Sequence, residues 1–456
     1  MKRIVLIIII LISLISCNAT PAIADEPRDG TYIGVHREII SPTQSYGAKL
    51  FLAGFGTYTR DYEGVHDEIT LTVVAFEIDG VKSAIIAADV LGFDRELTDE
   101  LRIRVQNELD IPGDSLLFNA SHTHCAPNVL TNTVGIGDFT QEYADYFYET
   151  AFECIKQAFE DLTPGQLYFG SQKTSGIVAV NRRYIRDGVC YWGPWYEGPR
   201  DDNAYIIHAV CDNKTRAVLF SYAGHPTIYN GPYVSAEYVG YARNYIEEKI
   251  AGAVSVFMQG CGGDLKGNHT NADKTAFAVG GWDELARIGA ILGKAVVDGI
   301  NNGLEPVTGK SEVSISRFEL QLQPAKLSKA QYQILMNSSS DVLADVYKYF
   351  YENYDNLATT RPYSVMRFDL GSNLTLIAME GEVSVEYAPI MKELLPDREV
   401  FVLGYSNGEP GYICLERQYA EGGYETEDSM KYYKIAEGYA PDSQYLIIEK
   451  AMELCK

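Results

Sequence analysis

Short strand-like segments joined by tight turns alternate with amphipathic helices along most of this chain. Residues 69–78 are rich in β-branched side chains and end in Asp79-Gly80, a hairpin turn signal before the apolar segment 84–88. Hairpins join antiparallel strands, whereas strand–helix–strand units join parallel ones. Because the chain carries both patterns, we expect an α/β fold in which mixed β-sheets are flanked by helices within a single large domain.

The same periodicities place the remaining elements. Leu101, Val105 and Leu109 are spaced by four and predict a helix capped by Thr98, and residues 163–165 are expected to end a long helix as a turn. Further helices are predicted at 141–162, 237–250, 282–300, 328–354, 383–394 and 442–454. Further strands are predicted at 116–119, 206–210, 217–222, 254–258, 313–322, 365–370, 374–378 and 400–403.

The chain is acidic, with an apolar content typical of globular proteins. Its 456 residues include 62 Asp and Glu against 38 Lys and Arg, a formal net charge of −24, and 46 % are hydrophobic. The apolar content argues against wholesale disorder. The charge argues against a nucleic-acid partner and against adhesion to anionic lipid by charge alone, since both need a basic surface. No protein partner is evident from the sequence.

The N-terminus has the pattern of an export signal. Lys2 and Arg3 precede an apolar run at 4–15 that is too short to span a bilayer. Two cleavage sites compete, a lipobox ending at Cys17 and an Ala-x-Ala site before Asp25. We therefore expect a signal peptide at 1–17 or 1–24, a polar tether at 18–30 and a folded domain at 31–456. The exported protein is then either a cell-surface lipoprotein, tethered to the membrane through a lipidated Cys17, or a secreted or periplasmic protein.

Three of the seven histidines lie just after predicted strands. His122 and His124 form an H-x-H motif that leaves the strand at 116–119, and His225 follows the strand at 217–222. In an extended chain both side chains of H-x-H share one face, so both can reach one metal ion or one substrate. Side chains at the ends of separate strands can converge at one sheet edge, where open α/β sheets bind ligands.

Other chemistry-bearing residues also follow predicted strands. The candidates are Asp264 in the glycine-rich segment 259–268, Glu382, Tyr412 and, twelve residues later, Tyr424. The glycines would let the backbone approach a ligand, Asp264 could orient a neighbouring group, and a glutamate offers a hard oxygen ligand. Arg182 carries a guanidinium that could polarise a carbonyl or hold an oxyanion. None of these residues is specific by itself: the glycine-rich segment is equally compatible with a tight turn, and a tyrosine more often serves packing or the surface than chemistry.

Taken in order, these segments resemble the catalytic domain of the neutral/alkaline, non-lysosomal ceramidases over roughly residues 30–430. The matching segments are 121–127 for the family's T-H-T-H-S-G-P, 181–182 for N-R, His225 for its strand-end histidine, 381–382 for P-G-E, 406–412 for S-N-x-x-x-G-Y and 424–425 for the R-Y-E-type end. The shared order of the motifs and the spacing from Tyr412 to Tyr424 carry the resemblance.

The resemblance implies an exported zinc-dependent amidase that cleaves an N-acyl lipid with metal-activated water. The zinc ligands that it implies are His122, His225, Glu382 and Tyr412. The catalytic residues that it implies are His124 as general base or acid, with Arg182 and Tyr424 stabilising the oxyanion of the tetrahedral intermediate. Zinc with such ligands and one open position acidifies water and polarises a carbonyl.

Two features depart from the family. Lys266 stands where the family has a serine, and a lysine cannot supply that hydroxyl. The family's C-terminal β-sandwich domain is not expected in this chain. Two alternatives to ceramide hydrolysis therefore stay open. One is a zinc hydrolase of the same fold that acts on a glycan, a peptide or another small amide or ester. The other is a non-catalytic surface binding protein.

Overall fold

A computed structural model describes residues 29–43, 50–56 and 60–456. The predicted leader, Cys17 and most of the predicted tether lie outside these ranges. The described residues form nine α-helices: α1 (Arg95–Leu109), α2 (Gln141–Glu160), α3 (Glu237–Lys249), α4 (Trp282–Asn302), α5 (Lys329–Ser338), α6 (Asp341–Glu352), α7 (Tyr387–Lys392), α8 (Glu416–Glu421) and α9 (Ser443–Leu454).

Strands in the same ranges are numerous and several are very short. They are β1 (Thr31–Ile39), β2 (Phe51–Leu52), β3 (Arg60–Asp61), β4 (Gly64–Val65), β5 (Thr70–Ile78), β6 (Val81–Ala88), β7 (Leu116–Ala120), β8 (Thr163–Lys173), β9 (Ala179–Arg186), β10 (Val189–Trp195), β11 (Asn203–Cys211), β12 (Lys214–Tyr222), β13 (Tyr233–Val234), β14 (Val254–Gln259), β15 (Leu265–Gly267), β16 (Glu305–Pro306), β17 (Val313–Gln321), β18 (Thr360–Leu370), β19 (Leu374–Met379), β20 (Glu382–Val383), β21 (Glu399–Leu403) and β22 (Tyr412–Ile413).

Two mixed sheets stack face to face. The larger has the order β14-β12-β11-β8-β1-β5-β6-β7 with β16 beside β8, and its two end pairings, β12–β14 and β6–β7, are parallel. The smaller has the order β17-β18-β19-β21, and only β19–β21 is parallel. Val74 and Phe76 from the larger sheet and Phe368 and Leu376 from the smaller one belong to a single buried cluster. Their shared core makes the two sheets a sandwich.

Helices cover both outer faces of the sandwich. On the larger sheet, Val105 of α1 and Phe147 of α2 pack on one half, and Leu292 of α4 packs on the other. On the smaller sheet, Phe350 of α6 and Ile447 of α9 complete a further core. The predicted fold class, mixed β-sheets flanked by helices in one domain, is confirmed. In the described ranges, no helix has both the length and the apolar character that a bilayer crossing requires.

Local capping overturns one predicted helix start. Thr98 was expected to cap the first helix, but α1 begins at Arg95 and is capped by Asp94, whose carboxylate accepts hydrogen bonds from the N–H groups of Glu96 and Leu97. Asp is as good a cap as Thr, and it lies one turn earlier.

The helix predicted at 328–354 is divided into α5 and α6, because Ser339 and Ser340 are extended at the boundary.

Tertiary pairing overturns two other predictions. The helix predicted at 383–394 shrinks to α7, because its first residue joins Glu382 in β20, which pairs with β22. Residues 163–165 form no isolated turn but open β8, where Pro164 pairs with Tyr32 of β1. The hairpin of β9 and β10 was not predicted from the sequence.

The ends of strands from both sheets meet around the side chain of Asn119 in β7. Its Oδ1 accepts from the backbone N–H of Gln259 at the end of β14, at 2.6 Å. Its Nδ2 donates to the carbonyl of Gly404, just after β21, at 2.9 Å and to Oγ of Ser406 at 3.0 Å. Asn119 is fully buried. One carboxamide therefore fastens three strand ends where the loops with the predicted site residues begin.

We expect Asn119→Ala to lower the free energy of unfolding by about 2–4 kcal/mol, because it leaves several buried backbone groups without partners. Urea denaturation followed by circular dichroism measures this change. The matched control is Asn302→Ala, which removes an exposed amide that bonds Gln172 and should change stability by less than about 0.5 kcal/mol. Equal effects of the two substitutions would show that Asn119 does not hold the strand ends.

Candidate functional site

His122 follows β7 and has a fixed ring orientation. Its backbone is left-handed, with φ of 63°, and its N–H donates to the carbonyl of Val90 at 3.0 Å. Ring atom Nδ1 lies 2.6 Å from the carbonyl oxygen of Leu91. A carbonyl only accepts, so Nδ1 carries the hydrogen and the lone pair of the neutral ring is on Nε2.

His225 repeats this arrangement at the end of β12. Its Nδ1 lies 2.7 Å from the carbonyl oxygen of Gly262, in the glycine-rich segment after β14. The same reasoning places its lone pair on Nε2. The rings of His122 and His225 are perpendicular, with centroids 4.8 Å apart. Two strands of the larger sheet therefore present two imidazole nitrogens to one buried point.

Glu382, in β20 shortly after β19 of the smaller sheet, reaches the same point. Its Oε2 lies 2.6 Å from Nε2 of His225 and 3.3 Å from Nε2 of His122. Its Oε1 accepts a hydrogen bond from the hydroxyl of Tyr433 at 2.6 Å. The pairing of β20 with β22 brings Glu382 beside Tyr412. The carboxylate thus joins the two imidazoles through one oxygen and is oriented through the other.

Tyr412 stacks on His225 and directs its hydroxyl to the same place. The two rings are nearly parallel, 8° apart, and the phenol oxygen lies 3.5 Å from Nε2 of His225. That oxygen also accepts a hydrogen bond from Nη2 of Arg182 at 2.9 Å. A second phenol, that of Tyr405, lies 3.4 Å from Nδ1 of His225.

His124 completes a group of three buried imidazoles. Its Nε2 is 3.2 Å from Nε2 of His122, and no partner for its Nδ1 is found in the described part of the chain. Potential ligand atoms of His122, His124 and His225 lie within 4.8 Å of one another. Gly54 passes close to the His124 ring, where a Cβ would lie 2.3 Å from Cγ, so only glycine fits there.

Arg182 is held by a buried ionic network. Its Nε donates to Oε1 of Glu425 at 2.8 Å, and its Nη2 donates to the carbonyl of Gly263 at 2.7 Å. Arg183 donates to the other oxygen of Glu425, also at 2.8 Å. Arg182, Arg183 and Glu425 are each at most 3 % exposed. Nη1 of Arg182 has no hydrogen-bond partner among the described residues, so this N–H pair is available to a ligand.

Tyr424 lies beside Arg182 and Tyr412. Its ring centroid is 5.8 Å from that of Tyr412 and 5.3 Å from that of Trp192. The guanidinium of Arg182 sits 5.6 Å from the centre of the Tyr424 ring. The Tyr424 hydroxyl makes no hydrogen bond within the residues that the structure describes.

Burial sets the charge states at the centre. The pKa of His225 falls to about 3, because burial and the nearby charge of Arg182 disfavour the imidazolium. Burial and the neighbouring His122 and His225 likewise hold the pKa of His124 well below its usual value. Burial raises the pKa of Glu382, but His122 and His225 outweigh it and the pKa lies well below the usual range. These shifts favour the neutral rings of His124 and His225 and the ionised carboxylate of Glu382.

These residues fit a zinc ion. Nε2 of His122, Nε2 of His225 and Oε2 of Glu382 converge on one buried point. A cation among the three atoms, whether a metal ion or a proton, would be bound by all of them. Two imidazoles, a carboxylate and the phenol of Tyr412 form a mixed nitrogen and oxygen donor set of the kind that Zn²⁺ accepts. The carbonyls of Leu91 and Gly262 orient the rings as outer partners do in known metal sites.

The structure brings all seven predicted site residues together: His122, His124, His225, Glu382, Tyr412, Arg182 and Tyr424. Sequence reasoning missed Tyr433, since no local signal separates it from the other 32 tyrosines. Asp264 orients backbone and not an imidazole, because its Oδ1 accepts from the N–H of Val385. The adjacent Gly263 allows close packing on the backbone of Glu382, where a Cβ would lie 2.3 Å from the carbonyl oxygen.

A search with this chain matched no protein-family model and no curated protein. Solved structures are similar to it. The neutral ceramidase from Pseudomonas aeruginosa matches with a TM-score of 0.72 and 16 % identity, over 94 % of this chain and 75 % of that one. A ceramidase complexed with C2 matches with a TM-score of 0.73 and 15 % identity, over the same shares. The chain therefore has a ceramidase-like fold.

Proposed function

We propose that this chain is a divergent member of the neutral ceramidase family, a zinc-dependent amidase that hydrolyses the amide bond of an N-acyl lipid. The observation that carries the proposal is the convergence of two imidazole nitrogens, from His122 and His225, with the carboxylate of Glu382 at strand ends of a ceramidase-like fold. Residues 31–456 then form the catalytic domain.

Four residues would hold the metal in this proposal: His122, His225, Glu382 and Tyr412. When bound, a zinc ion with an open coordination position supplies Lewis-acid chemistry and acidifies a water molecule. The chain's own contribution is to keep the two rings in one tautomer and to keep the carboxylate ionised. Tyr433 supports the second task by donating to Oε1 of Glu382.

His124 is the proton carrier in this proposal. Its ring is neutral at physiological pH, so it can accept a proton from the water that attacks the acyl carbon. The same ring can then protonate the nitrogen that leaves when the acyl C–N bond breaks. Negative charge on the carbonyl oxygen is stabilised by the free Nη1 of Arg182 and by the hydroxyl of Tyr424.

We also propose that the protein is exported, supported by the charged start, the apolar run at 4–15 and the two cleavage patterns. In one form Cys17 is lipidated and tethers the catalytic domain to a membrane surface. Intact-mass measurement of protein purified from the expressing cells distinguishes the forms, because diacylglyceryl modification at Cys17 and cleavage before Asp25 give different masses.

The proposal is tested by metal analysis together with hydrolysis of fluorescent N-acyl substrates by the purified protein. We expect about one zinc per chain and release of the fatty acid that stops after chelation and returns with zinc. Absence of bound zinc in protein purified with the metal present would contradict the amidase proposal and favour a surface binding protein.

We expect His225→Ala to remove the bound zinc. Losing one of four ligands should weaken zinc affinity by more than about 100-fold, because the coordination shell can no longer close. Zinc per chain, measured by mass spectrometry of the dialysed protein, is the readout. His208→Ala is the matched control, because His208 lies on β11 and bonds only Thr215. Full zinc occupancy in His225→Ala would refute the ligand assignment.

His124→Ala should keep its zinc while kcat falls by roughly 10²–10⁴-fold, the range expected for loss of a general acid–base group. Zinc content and steady-state kinetics on the same preparation test this together. If the metal is lost with the imidazole, His124 is itself a ligand, and Tyr412 or Glu382 is not.

A further inference from the structure

Lys266 lies on the same sheet face as two residues of the site. In β15 it pairs with Val180 of β9, two residues before Arg182, and a parallel bridge joins it to His225. Paired residues, and residues two apart in a strand, direct their side chains to the same face. The Lys266 side chain therefore leaves the backbone on the face that carries Arg182 and His225.

The Lys266 ammonium lacks a charged partner in the described part of the chain. Its Nζ donates to the carbonyl of Thr227 at 2.7 Å and to Oγ1 of the same residue at 2.8 Å. Both acceptors are neutral, and one of the three N–H bonds remains. No carboxylate of the described residues lies within ion-pair distance, and Glu237 acts only from further away. An anion beside Nζ would remove this imbalance.

The arginine on the same face increases the imbalance. Arg182 itself shares its carboxylate partner, Glu425, with Arg183. This face therefore presents two cations, Arg182 and Lys266, although the chain as a whole has a formal net charge of −24.

A row of aromatic rings leads from Lys266 to the protein surface. Nζ of Lys266 lies 5.8 Å from the centre of the Phe277 ring, and Phe277 lies 6.2 Å from Trp192. Trp192 is 53 % exposed and also contacts Tyr424 of the site. Apolar rings beside an unbalanced cationic face are the combination that binds an amphiphile with an acidic group.

We propose that Lys266 binds an acidic group on the amine part of the substrate, so that the preferred substrates are anionic N-acyl amides, such as N-acyl amino acids, and not neutral ceramides. This inference rests on the amidase function proposed above. Lys266 is then a specificity-determining residue. A neutral amide would leave the partly buried ammonium without a counterion, whereas an acidic one would pair with it.

The reaction on such a substrate is simple hydrolysis. Oxygen from water bonds to the acyl carbon, the C–N bond breaks, and a proton passes to the leaving nitrogen. The products are a fatty acid and an amine that still carries its acidic group. No oxidant or reductant is required.

The test compares three amides of dodecanoic acid that differ only in the amine: glycine, taurine and ethanolamine. We expect kcat/KM of the zinc-loaded enzyme to be at least about tenfold higher on one of the two anionic amides than on the ethanolamide. The glycine and taurine arms distinguish a carboxylate from a sulfonate. Equal or higher kcat/KM on the ethanolamide would overturn the proposal.

Lys266→Met should abolish the preference, mainly by raising KM for the anionic amide. Lys266→Arg should keep part of the preference, because it keeps the charge. Lys294→Met is the matched control, since Lys294 pairs with Asp298 on α4 and should not affect the preference. An unchanged preference in Lys266→Met would overturn the proposal.

Lys266 could instead only hold the loop after His225 through Thr227. Thr227→Val removes the hydroxyl acceptor and keeps the ammonium, so it separates the two roles. If Lys266→Met and Thr227→Val lower kcat on all three amides alike, the lysine acts only through that loop and the proposal is wrong. Selective loss on the anionic amide in Lys266→Met alone supports it.

Binding measurements separate this proposal from the amidase function. Calorimetric titration of the zinc-loaded protein measures the affinity for each amide without turnover, under conditions where hydrolysis is slow. The three ligands are N-dodecanoylglycine, N-dodecanoyltaurine and N-dodecanoylethanolamine. If none of the amides is hydrolysed, the amidase proposal fails. At least about tenfold tighter binding of an anionic amide, lost in Lys266→Met, still supports the role of Lys266. Equal affinities for all three amides refute it.

Discussion

The hydrogen bonds of the Asn119 carboxamide are the interaction on which the rest of the site depends. They join the end of β7 to the end of β14 and to the segment after β21. Buried backbone groups without partners are costly, so this meeting point of two sheets has one stable arrangement. The loops that carry His122, the glycine-rich turn and Tyr412 all leave from it. The geometry of the proposed metal ligands therefore depends on a neutral side chain that is not one of them.

Burial of charge is the second constraint. Glu382 and Glu425 are each 1 % exposed, and burying carboxylates is unfavourable unless partners compensate. Glu425 is compensated by Arg182 and Arg183, which leaves one end of Arg182 for a ligand. Glu382 is compensated by His122, by His225 and by the hydroxyl of Tyr433, and in the proposed enzyme by the metal as well.

The fold and the substrate are separable questions in this protein. Structures with only 15–16 % identity share the fold over 94 % of the chain, so the sandwich tolerates extensive substitution. The resemblance in sequence is concentrated in the segments that leave its strands. Lys266 departs from the resemblance on the sheet face that carries Arg182 and His225. That position suits a change of substrate without a change of chemistry, because it alters charge beside the reacting groups and leaves the ligands in place.

The fold class and the site candidates could be predicted from the sequence, because period-two and period-four patterns and post-strand histidines are local signals. It did not show that Asp94, and not Thr98, caps α1. It also did not show that the helix predicted at 383–394 is shortened because Glu382 pairs with Tyr412. It also could not single out Tyr433 or the carbonyls of Leu91 and Gly262. These features depend on the tertiary structure, because cross-strand pairing, ring tautomers and the burial of particular groups arise from contacts between residues far apart in the chain.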